Sequence, residues 1–300
     1  MTEWYPNPQT GLRVGLALIA AIALVDAGLV IWAATQPVSG LTFLIGLFVL
    51  GSLAAIGAIG YRISGLVQSA YVLDRNALVI LWGESEHVVP LPHIQQVLLG
   101  EEVKGRLRFQ GIRWPGYWVG YGEIEGLGPA LFHSTAPLEE QVLLVTPGLT
   151  YAISPEDRNG FLTTLQTRMQ MGPTQVLKQV SYGPAFAYWD FWKDRPALIL
   201  LAGGLGLLLV LTGFLCFRFP HLPPLLPLHF DALGIPDRLG VRGQIFFIPL
   251  IGLIVLTVNG VLGGLLYQKE RLAAYLLWGS ALMIQILFWI AVLGILAVAD

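Results

Sequence analysis

The segment between Leu226 and Gly240 and its approach carry side chains that could bind a metal ion. Imidazole nitrogens and carboxylate oxygens are common metal ligands in proteins. The candidate ligands are His221, His229, Asp231 and Asp237. Their spacing matches no zinc template, so we predict no metal. The competing interpretation is a rigid turn, since Gly234 permits a positive φ and Pro236 fixes its own φ.

The same segment could instead recognise a partner. The carboxylate of Asp237 can bond to nearby backbone N–H groups, which would hold the turn and the side chains around it in fixed positions. We therefore predict a recognition loop for an unknown protein or peptide partner. Its residues are Pro227, His229, Asp231, Gly234, Pro236, Asp237 and Arg238.

A second chemical group lies inside an apolar stretch. Asp26 is the only charged residue between Val14 and Ala34, and a charge in the bilayer costs at least about 2.5–3.5 kcal/mol on insertion scales. It should therefore face protein or be protonated. Asn259 and Gln285 are the polar residues in other apolar stretches that could bond to it. Structural hydrogen bonding and proton or ion coupling in a small transporter both remain open.

A basic cluster provides a third candidate, a contact with an anionic membrane surface. It consists of Lys104, Arg106, Arg108 and Arg113. A basic residue near an anionic leaflet contributes about 1 kcal/mol. The alternative is a solvated strand face, and the neighbouring Glu101 and Glu102 partly cancel the field.

Catalytic motifs are absent from the sequence. It contains no His-Glu-x-x-His, no Gly-x-Ser-x-Gly and no Walker-type phosphate loop, so we predict neither catalytic residues nor a cofactor and no enzyme activity. The single cysteine, Cys216, cannot form an internal disulfide. A net charge of -2 gives no general argument for nucleic-acid binding, and we predict none.

Composition indicates that these groups are positioned by a membrane protein. The chain is 55% hydrophobic and only 12% charged, about half the charged share of soluble domains. Five runs are long and apolar enough to cross a bilayer as helices. They are Val14–Ala34, Leu41–Gly60, Ala197–Cys216, Ile245–Tyr267 and Leu272–Ala299. We interpret Leu222–Phe230 as a loop, because its prolines would leave backbone groups unsatisfied in lipid.

The basic residues between these runs predict the orientation. In a five-span arrangement one side receives Arg13, Arg62, Lys193, Arg195, Lys269 and Arg271, and the other receives Arg218, Arg238 and Arg242. The side richer in basic residues is cytoplasmic in most membrane proteins. The N-terminus and the middle of the chain should therefore be cytoplasmic, and the C-terminus external. Glu3, with no basic residue before Arg13, makes a cleavable signal peptide a poor alternative.

The middle of the chain has the pattern of a small β structure. Tyr71–Leu73 and Leu78–Trp82 flank turn residues, as do Gln141–Val145 and Thr150–Ile153, which predicts two hairpins. Ser154 as a cap, followed by Pro155 and Asp157, predicts the start of an amphipathic helix. Strands that end in one such helix outline a pleckstrin-homology-like barrel.

The residues also carry a resemblance to a known domain. Arg113-Trp-Pro-Gly-Tyr-Trp-Val-Gly120, Tyr151-Ala-Ile-Ser-Pro-Glu-Asp157 and the following Phe161 resemble the bacterial pleckstrin-homology-like domains of membrane proteins, from Tyr71 to Gln170. The resemblance implies a small β-barrel that ends in an α-helix. Such domains are usually not enzymes. Phosphoinositide binding is not implied here, because acidic residues outnumber basic ones in the domain.

A second resemblance concerns the proline-led segment. Pro227, His229, Gly234, Pro236 and Asp237 resemble the signature of a bacterial membrane domain of unassigned function, over about Pro196 to Leu265. That domain also occurs in the immunity proteins against sporulation-delaying protein. In those proteins the same element lies outside the membrane, after an outward-running helix, which agrees with the predicted orientation.

Together these features predict a multi-pass α-helical protein of the bacterial cytoplasmic membrane with four parts. Residues 1–61 form two spans, 62–173 the pleckstrin-homology-like cytoplasmic domain, 174–195 a linker, and 196–300 three spans with the external loop 217–244. The linker contains Phe186-Ala-Tyr-Trp-Asp-Phe-Trp192, whose aromatic rings favour an anchor in the headgroup layer over an aromatic binding cage. We predict a protein that senses the envelope, confers toxin immunity or acts as a scaffold.

Overall fold

The computed structural model describes residues 1–184, 189–230 and 236–299. The described α-helices are α1 (Gln9–Ala34), α2 (Gly40–Val67), α3 (Arg158–Met171), α4 (Arg195–Arg218), α5 (Phe247–Leu266) and α6 (Arg271–Ala299). All of these except α3 are long and apolar enough to cross a membrane, which confirms the predicted spans. The chain divides into two compact units, Met1–Val25 with Ser52–Tyr188 and Asp26–Gly51 with Trp189–Asp300.

The middle of the chain is a β structure, as predicted. Its strands are β2 (Ala70–Leu73), β3 (Ala77–Trp82), β4 (Ser85–Pro90), β5 (Gln96–Leu99), β6 (Leu107–Trp114), β7 (Tyr117–Ile124), β8 (Gly128–Ser134), β9 (Val142–Thr146) and β10 (Leu149–Ile153). Both predicted hairpins are confirmed, because β2 pairs with β3 and β9 with β10. We refer to these strands with α3 as the middle domain.

Two further strands complete the sheets. Strands β1 (Thr2–Trp4) and β11 (Val180–Tyr182) form the edges of a five-stranded sheet in the order β1-β2-β3-β4-β11. A six-stranded sheet has the order β5-β9-β10-β8-β7-β6. The two sheets do not close into one hydrogen-bonded cylinder, so the predicted barrel is a loose one. Its core consists of buried side chains from both sheets and from α3, including Tyr71, Ile80, Leu144, Tyr151 and Phe161.

Helix α3 closes the middle domain, but its start differs from the prediction. The N-cap is Asp157, whose carboxylate accepts a hydrogen bond of 2.9 Å from the backbone N–H of Gly160. Ser154 does not cap the helix, because its hydroxyl accepts from the N–H of Thr135 at 2.8 Å. A carboxylate at this position also interacts favourably with the positive end of the helix dipole.

The first residues of the chain are part of the middle domain. Trp4 packs edge-to-face on Phe161, with ring centroids 6.0 Å apart, and β1 runs antiparallel to β2. Helix α1 begins against the β6–β7 turn, where the indole N–H of Trp114 donates to the carbonyl of Gly11 at 3.2 Å. A Cβ at Gly11 would lie 2.3 Å from the carbonyl oxygen of Gly116, so this contact requires glycine.

In the second unit, α4, α5 and α6 pack together and carry a β-hairpin. Strand β12 (Leu225–Phe230) pairs antiparallel with β13 (Pro236–Val241). Leu222–Phe230 belongs to none of the helices long enough to cross a membrane, as expected, but the prediction of a loop is wrong from Leu225 onwards. Each strand of a two-stranded sheet is an edge, which tolerates proline because an edge strand leaves some N–H positions unpaired.

Candidate functional site

The predicted recognition residues lie on the β12–β13 hairpin or in its connection. His229 and Arg238 are cross-strand partners and are both exposed, beside a register shift that follows Pro227. Pro227 is buried. Asp231 and Gly234 lie outside the described residues. Pro236 and Asp237 belong to β13, whose backbone pairing is described although their side chains are not.

The hairpin is held firmly on the helices beneath it. Leu226 is fully buried and packs with Leu222 and Ile245 in a core that also contains side chains of α4 and α6. The guanidinium of Arg242 lies 4.7 Å from the ring centroid of Phe219. The same group donates to the carbonyl oxygens of Phe219 and Leu222, at 3.5 and 3.3 Å. In the sequence Arg242 indicates only the orientation of the chain, and no local pattern predicts these contacts.

The other side of the hairpin presents apolar side chains to its surroundings. Leu225, Leu239 and Val241 are exposed, and Leu239 retains 63% of its accessible surface. Because Leu225 pairs with Val241, these two side chains lie side by side on the hairpin. Neighbouring exposed apolar residues mark surfaces that bind proteins or membranes. The hairpin therefore combines this apolar surface with the polar pair His229 and Arg238.

The alternative of a metal site finds no geometric support in the part of the chain that the structure describes. No group of three or more His, Cys, Asp or Glu side chains there is close enough to hold an ion. Of the four candidate ligands, His221 and His229 are both exposed. Asp231 lies outside the described residues, and the side chain of Asp237 is not described.

The three predicted intramembrane polar residues differ in their environments. Asp26 is buried in α1, with 6% of its surface exposed. Gln285 is fully buried in α6 and donates to the carbonyl of Gly252 in α5 at 2.8 Å, so its described partner is a backbone group. Its side-chain oxygen is buried without a hydrogen-bond partner among the described residues. Asn259 is half-buried in α5.

The predicted basic cluster lies along an edge of the six-stranded sheet. Lys104 and Arg106 precede β6, Arg108 and Arg113 lie on it, and all four are exposed. Acidic residues of β7 and its turn lie beside this strand, since Glu123 is the cross-strand partner of Arg108 and Glu125 accepts from the N–H of Arg106. The guanidinium of Arg113 lies over Trp118. This surface therefore has both signs of charge, and its contact with an anionic membrane stays a prediction.

The aromatic linker leads to a polar network that sequence reasoning missed. Asp194 caps α4 by accepting from the N–H of Ala197 at 3.2 Å. One carboxylate oxygen also accepts from the hydroxyl of Tyr267, which follows α5, at 2.6 Å, and from that of Tyr275 in α6. Phe191 packs edge-to-face against Tyr267. Of the linker aromatics, Phe191 packs on the helix bundle, and Trp189 and Trp192 are exposed. Phe186 and Tyr188 lie outside the described residues, so the headgroup anchor stays a prediction.

The network affects the acid–base properties of its members. Hydrogen bonds from Tyr267 and Tyr275 hold the pKa of Asp194 below its ordinary value, because they stabilise the carboxylate. The hydrogen bond to Asp194 in turn raises the pKa of Tyr267 to about 12. The network therefore consists of a carboxylate that accepts from two phenol hydroxyls, and it ties the ends of α4, α5 and α6 together.

A second feature without a sequence signal is a pair of buried histidines in the middle domain. His87 on β4 and His133 on β8 are 6% and 5% exposed, and their ring centroids are 4.7 Å apart. Burial lowers the pKa of His87 to about 4, and burial together with the charge of His87 lowers that of His133 to about 3. Both rings are therefore neutral at physiological pH. The two residues lie far apart in the sequence, so only the folded sheets bring them together.

Comparison with known families agrees with this geometry. Residues 69–169 match the family described as the bacterial PH domain, which corresponds to the middle domain. The chain carries a bacterial PH domain. Residues 206–253, from α4 through the hairpin into α5, match the domain of unknown function DUF1648. Both predicted resemblances are thereby confirmed. No curated protein and no solved structure matches the chain.

The two matches locate the described features. The PH domain contains the two histidines and the basic edge strand, and the DUF1648 region contains the hairpin with the part of α4 that supports it. Asp194, Tyr267 and Tyr275 fall outside both matched regions.

The Asp194 network makes a testable contribution to stability. We expect Asp194→Ala to lower the melting temperature of the full-length protein in detergent, because it removes a helix cap and the acceptor of two phenol hydroxyls. Asp190→Ala is the matched control. Asp190 forms an exposed ion pair with Arg271 at 3.6 Å, and exposed pairs contribute little. Equal melting temperatures for the two variants would contradict this role.

The buried histidines predict a pH dependence of stability. Their pKa values are lower in the folded than in the unfolded state, so the unfolded state binds protons more readily between about pH 4 and pH 6.5. Their contribution is complete above pH 6.5 and is lost as the pH falls through that window. For His87 alone we expect a loss of the order of 2 kcal/mol at pH 5.

Thermal unfolding at pH 7.5 and pH 5 measures this effect. His87→Phe keeps an aromatic ring but cannot bind a proton, so its melting temperature should fall less on acidification than that of the wild type. The control is His93→Gln, since His93 is exposed and its loss should leave the pH dependence unchanged. An unaltered acid sensitivity in His87→Phe would rule out this explanation.

Proposed function

We propose that this protein is a non-catalytic recognition protein of the bacterial cytoplasmic membrane, with its PH domain in the cytoplasm and its hairpin outside. The hairpin would bind a protein or peptide partner, in a role of envelope sensing, toxin immunity or scaffolding. Five apolar helices, the PH domain and the DUF1648 region support the general architecture. The orientation and the partner are parts of the proposal.

The orientation follows from the distribution of basic residues at the helix ends. Arg62 stands near the end of α2, and Arg195 and Arg271 begin α4 and α6, all at the ends assigned to the cytoplasm. Arg218 ends α4, and Arg238 lies on the hairpin. Basic residues are retained on the cytoplasmic side of a membrane. The helix ends that carry more of them, those near Arg62, Arg195 and Arg271, therefore support a cytoplasmic PH domain.

The main support for the proposal is that the two sides of the hairpin differ, since one side is packed on the helices and the other is exposed. Its inner side is fixed by the buried Leu226 and, where β13 ends, by the two hydrogen bonds that the guanidinium of Arg242 donates to backbone carbonyls. Its outer side exposes Leu225, Leu239 and Val241. A pre-organised surface loses little conformational entropy on binding, so a rigid apolar hairpin favours recognition of a partner.

A second candidate function is a small proton- or ion-coupled transporter that uses Asp26. The observation that favours it is the burial of an ionisable carboxyl within a membrane-spanning helix. This function would depend on Asp26 and would not require the hairpin surface. The recognition function would require the hairpin surface and would not depend on Asp26.

Photo-crosslinking tests the recognition function. A photoreactive amino acid at Leu239 should form a discrete adduct with one protein or peptide in native membranes, because Leu239 is exposed on the outer side of the hairpin. Gln36, between α1 and α2, is an exposed control position at the same membrane side in the proposed orientation, and it should give no such adduct. His229→Ala and Arg238→Ala should reduce the yield, whereas Asp26→Asn should not.

Three results would contradict the proposal. Identical adducts at Leu239 and Gln36 would show that the hairpin has no specific partner. An adduct lost only in Asp26→Asn would instead favour the transporter. In the proposed orientation, a cysteine in place of Arg238 reacts with a membrane-impermeant maleimide in intact cells. An unreactive cysteine at this position would indicate that the hairpin is on the cytoplasmic side.

A further inference from the structure

A cavity of 380 Å³ lies in the first unit, where the end of α2 meets the sheets of the PH domain. Its wall comes from four places: α2 from Tyr61 to Gln68, the β3–β4 turn from Trp82 to Ser85, residues of β7 and β8, and Pro184. The volume is in the range of small-molecule sites. Its lining residues belong neither to the hairpin nor to the Asp194 network.

The depth of the cavity follows from the sequence of α2. The uncharged run of this helix ends at Gly60, and Tyr61 and Arg62 come next. An uncharged run of this length fills the hydrocarbon layer, so the residues after it lie among the lipid headgroups. The end of α2 therefore places one wall of the cavity at the depth of the lipid headgroups.

Close packing of two glycines fixes the walls relative to each other. Gly83, at the tip of the β3–β4 turn, has a φ of +58°, and a Cβ there would lie 3.0 Å from the Cα of Gly65 in α2. Leu66 packs with Trp82 and Tyr117 in a small core beside this contact. The turn and the helix thus hold the cavity open as a feature of the folded PH domain.

The lining carries one charge of each sign. Arg62 supplies a guanidinium, and Glu84 supplies an exposed carboxylate. Within the part of the chain that the structure describes, neither side chain forms an ion pair or a hydrogen bond. The remaining lining adds the hydroxyls of Ser64 and Ser85 and aromatic rings. His133, which also lines the cavity, is neutral because it is buried.

This combination selects a class of ligand. A guanidinium binds phosphate through paired hydrogen bonds, and a carboxylate with nearby aromatic rings binds an ammonium group. A purely anionic headgroup would meet the repulsion of Glu84, and a purely cationic ligand that of Arg62. We propose that the cavity binds the headgroup of a zwitterionic phospholipid with a primary amine, its phosphate on Arg62 and its ammonium on Glu84.

The proposal gives the PH domain a lipid contact that its basic edge strand does not provide. Lys104, Arg106 and Arg108 lie beside acidic residues on an open surface, whereas Arg62 and Glu84 line a concave site at headgroup depth. The acyl chains would remain in the bilayer beside α2. The site therefore recognises a lipid that is already in the membrane.

Native mass spectrometry of the delipidated full-length protein tests this site. Phosphatidylethanolamine should bind more tightly than phosphatidylglycerol, which has no ammonium, and than phosphatidylcholine, whose quaternary ammonium cannot donate a hydrogen bond to Glu84. Arg62→Gln and Glu84→Gln should each weaken phosphatidylethanolamine binding by about tenfold or more, as expected for a lost charged hydrogen bond. Glu84→Gln should also reduce the preference over phosphatidylglycerol, because it removes the repulsive carboxylate.

Control variants and a soluble probe make the outcome specific. Arg13→Gln removes an exposed arginine of α1 that does not line the cavity, and it should leave binding unchanged. Melting temperatures confirm that each variant is folded, and Arg62→Lys, which keeps the charge, should retain part of the affinity. Soluble glycerophosphoethanolamine should bind more weakly than the lipid, since it lacks acyl chains.

Three outcomes would overturn the proposal. Equal affinity for phosphatidylethanolamine and phosphatidylglycerol would remove the role of Glu84. Folded Arg62→Gln with unaltered binding would remove the role of Arg62. Equal affinity for soluble glycerophosphoethanolamine and the lipid would assign the cavity to a soluble headgroup ester instead of a membrane lipid.

Discussion

The pairing of β1 with β2 is the interaction on which the first unit depends. Thr2, Glu3 and Trp4 pair with Leu73, Val72 and Tyr71, so the start of the chain is a strand of the PH domain sheet. The chain leaves this strand into α1, and it returns through α2, which ends at Val67 only a few residues before β2 begins. Both helices thus start or end at the same sheet. The close approach of Gly11 to Gly116 and the cavity beside Gly65 are consequences of that arrangement.

In the second unit, contacts at both ends of three long apolar helices fix the positions of these helices relative to one another. The Asp194 network joins one end of α4, α5 and α6, and the core around Leu226 joins the other end to the hairpin. The carboxylate of Asp194 lies at the ends of these helices, whereas Gln285 is buried within α6. Within the helices, small residues allow close contacts, as where Gly252 lies against Gln285.

The sequence predicted those features that a single local pattern determines. Helices that cross a bilayer are recognisable from length and hydropathy, and the β2–β3 and β9–β10 hairpins from alternation around turn residues. Strand β1 could not be predicted, because three residues carry no periodicity and their partner lies far along the chain. For strand β12 the sequence predicts a loop, because prolines such as Pro227 argue against a strand unless it is known to be an edge. The contacts of Asp194, His87 and His133 depend on tertiary structure and have no local signal.

A disulfide between β1 and β2 tests the central structural claim most directly. In a Cys216→Ala background, Glu3→Cys with Val72→Cys places two cysteines at directly opposed positions, where side chains are close enough to form a disulfide. The control is Glu3→Cys with Val79→Cys, since Val79 pairs with Val72 on the next strand and lies two strand spacings, about 10 Å, from Glu3. The pairing of β1 with β2 predicts an intramolecular disulfide in the first variant and none in the second. Equal disulfide yields in the two variants would show that the N-terminus is not a strand of the PH domain sheet.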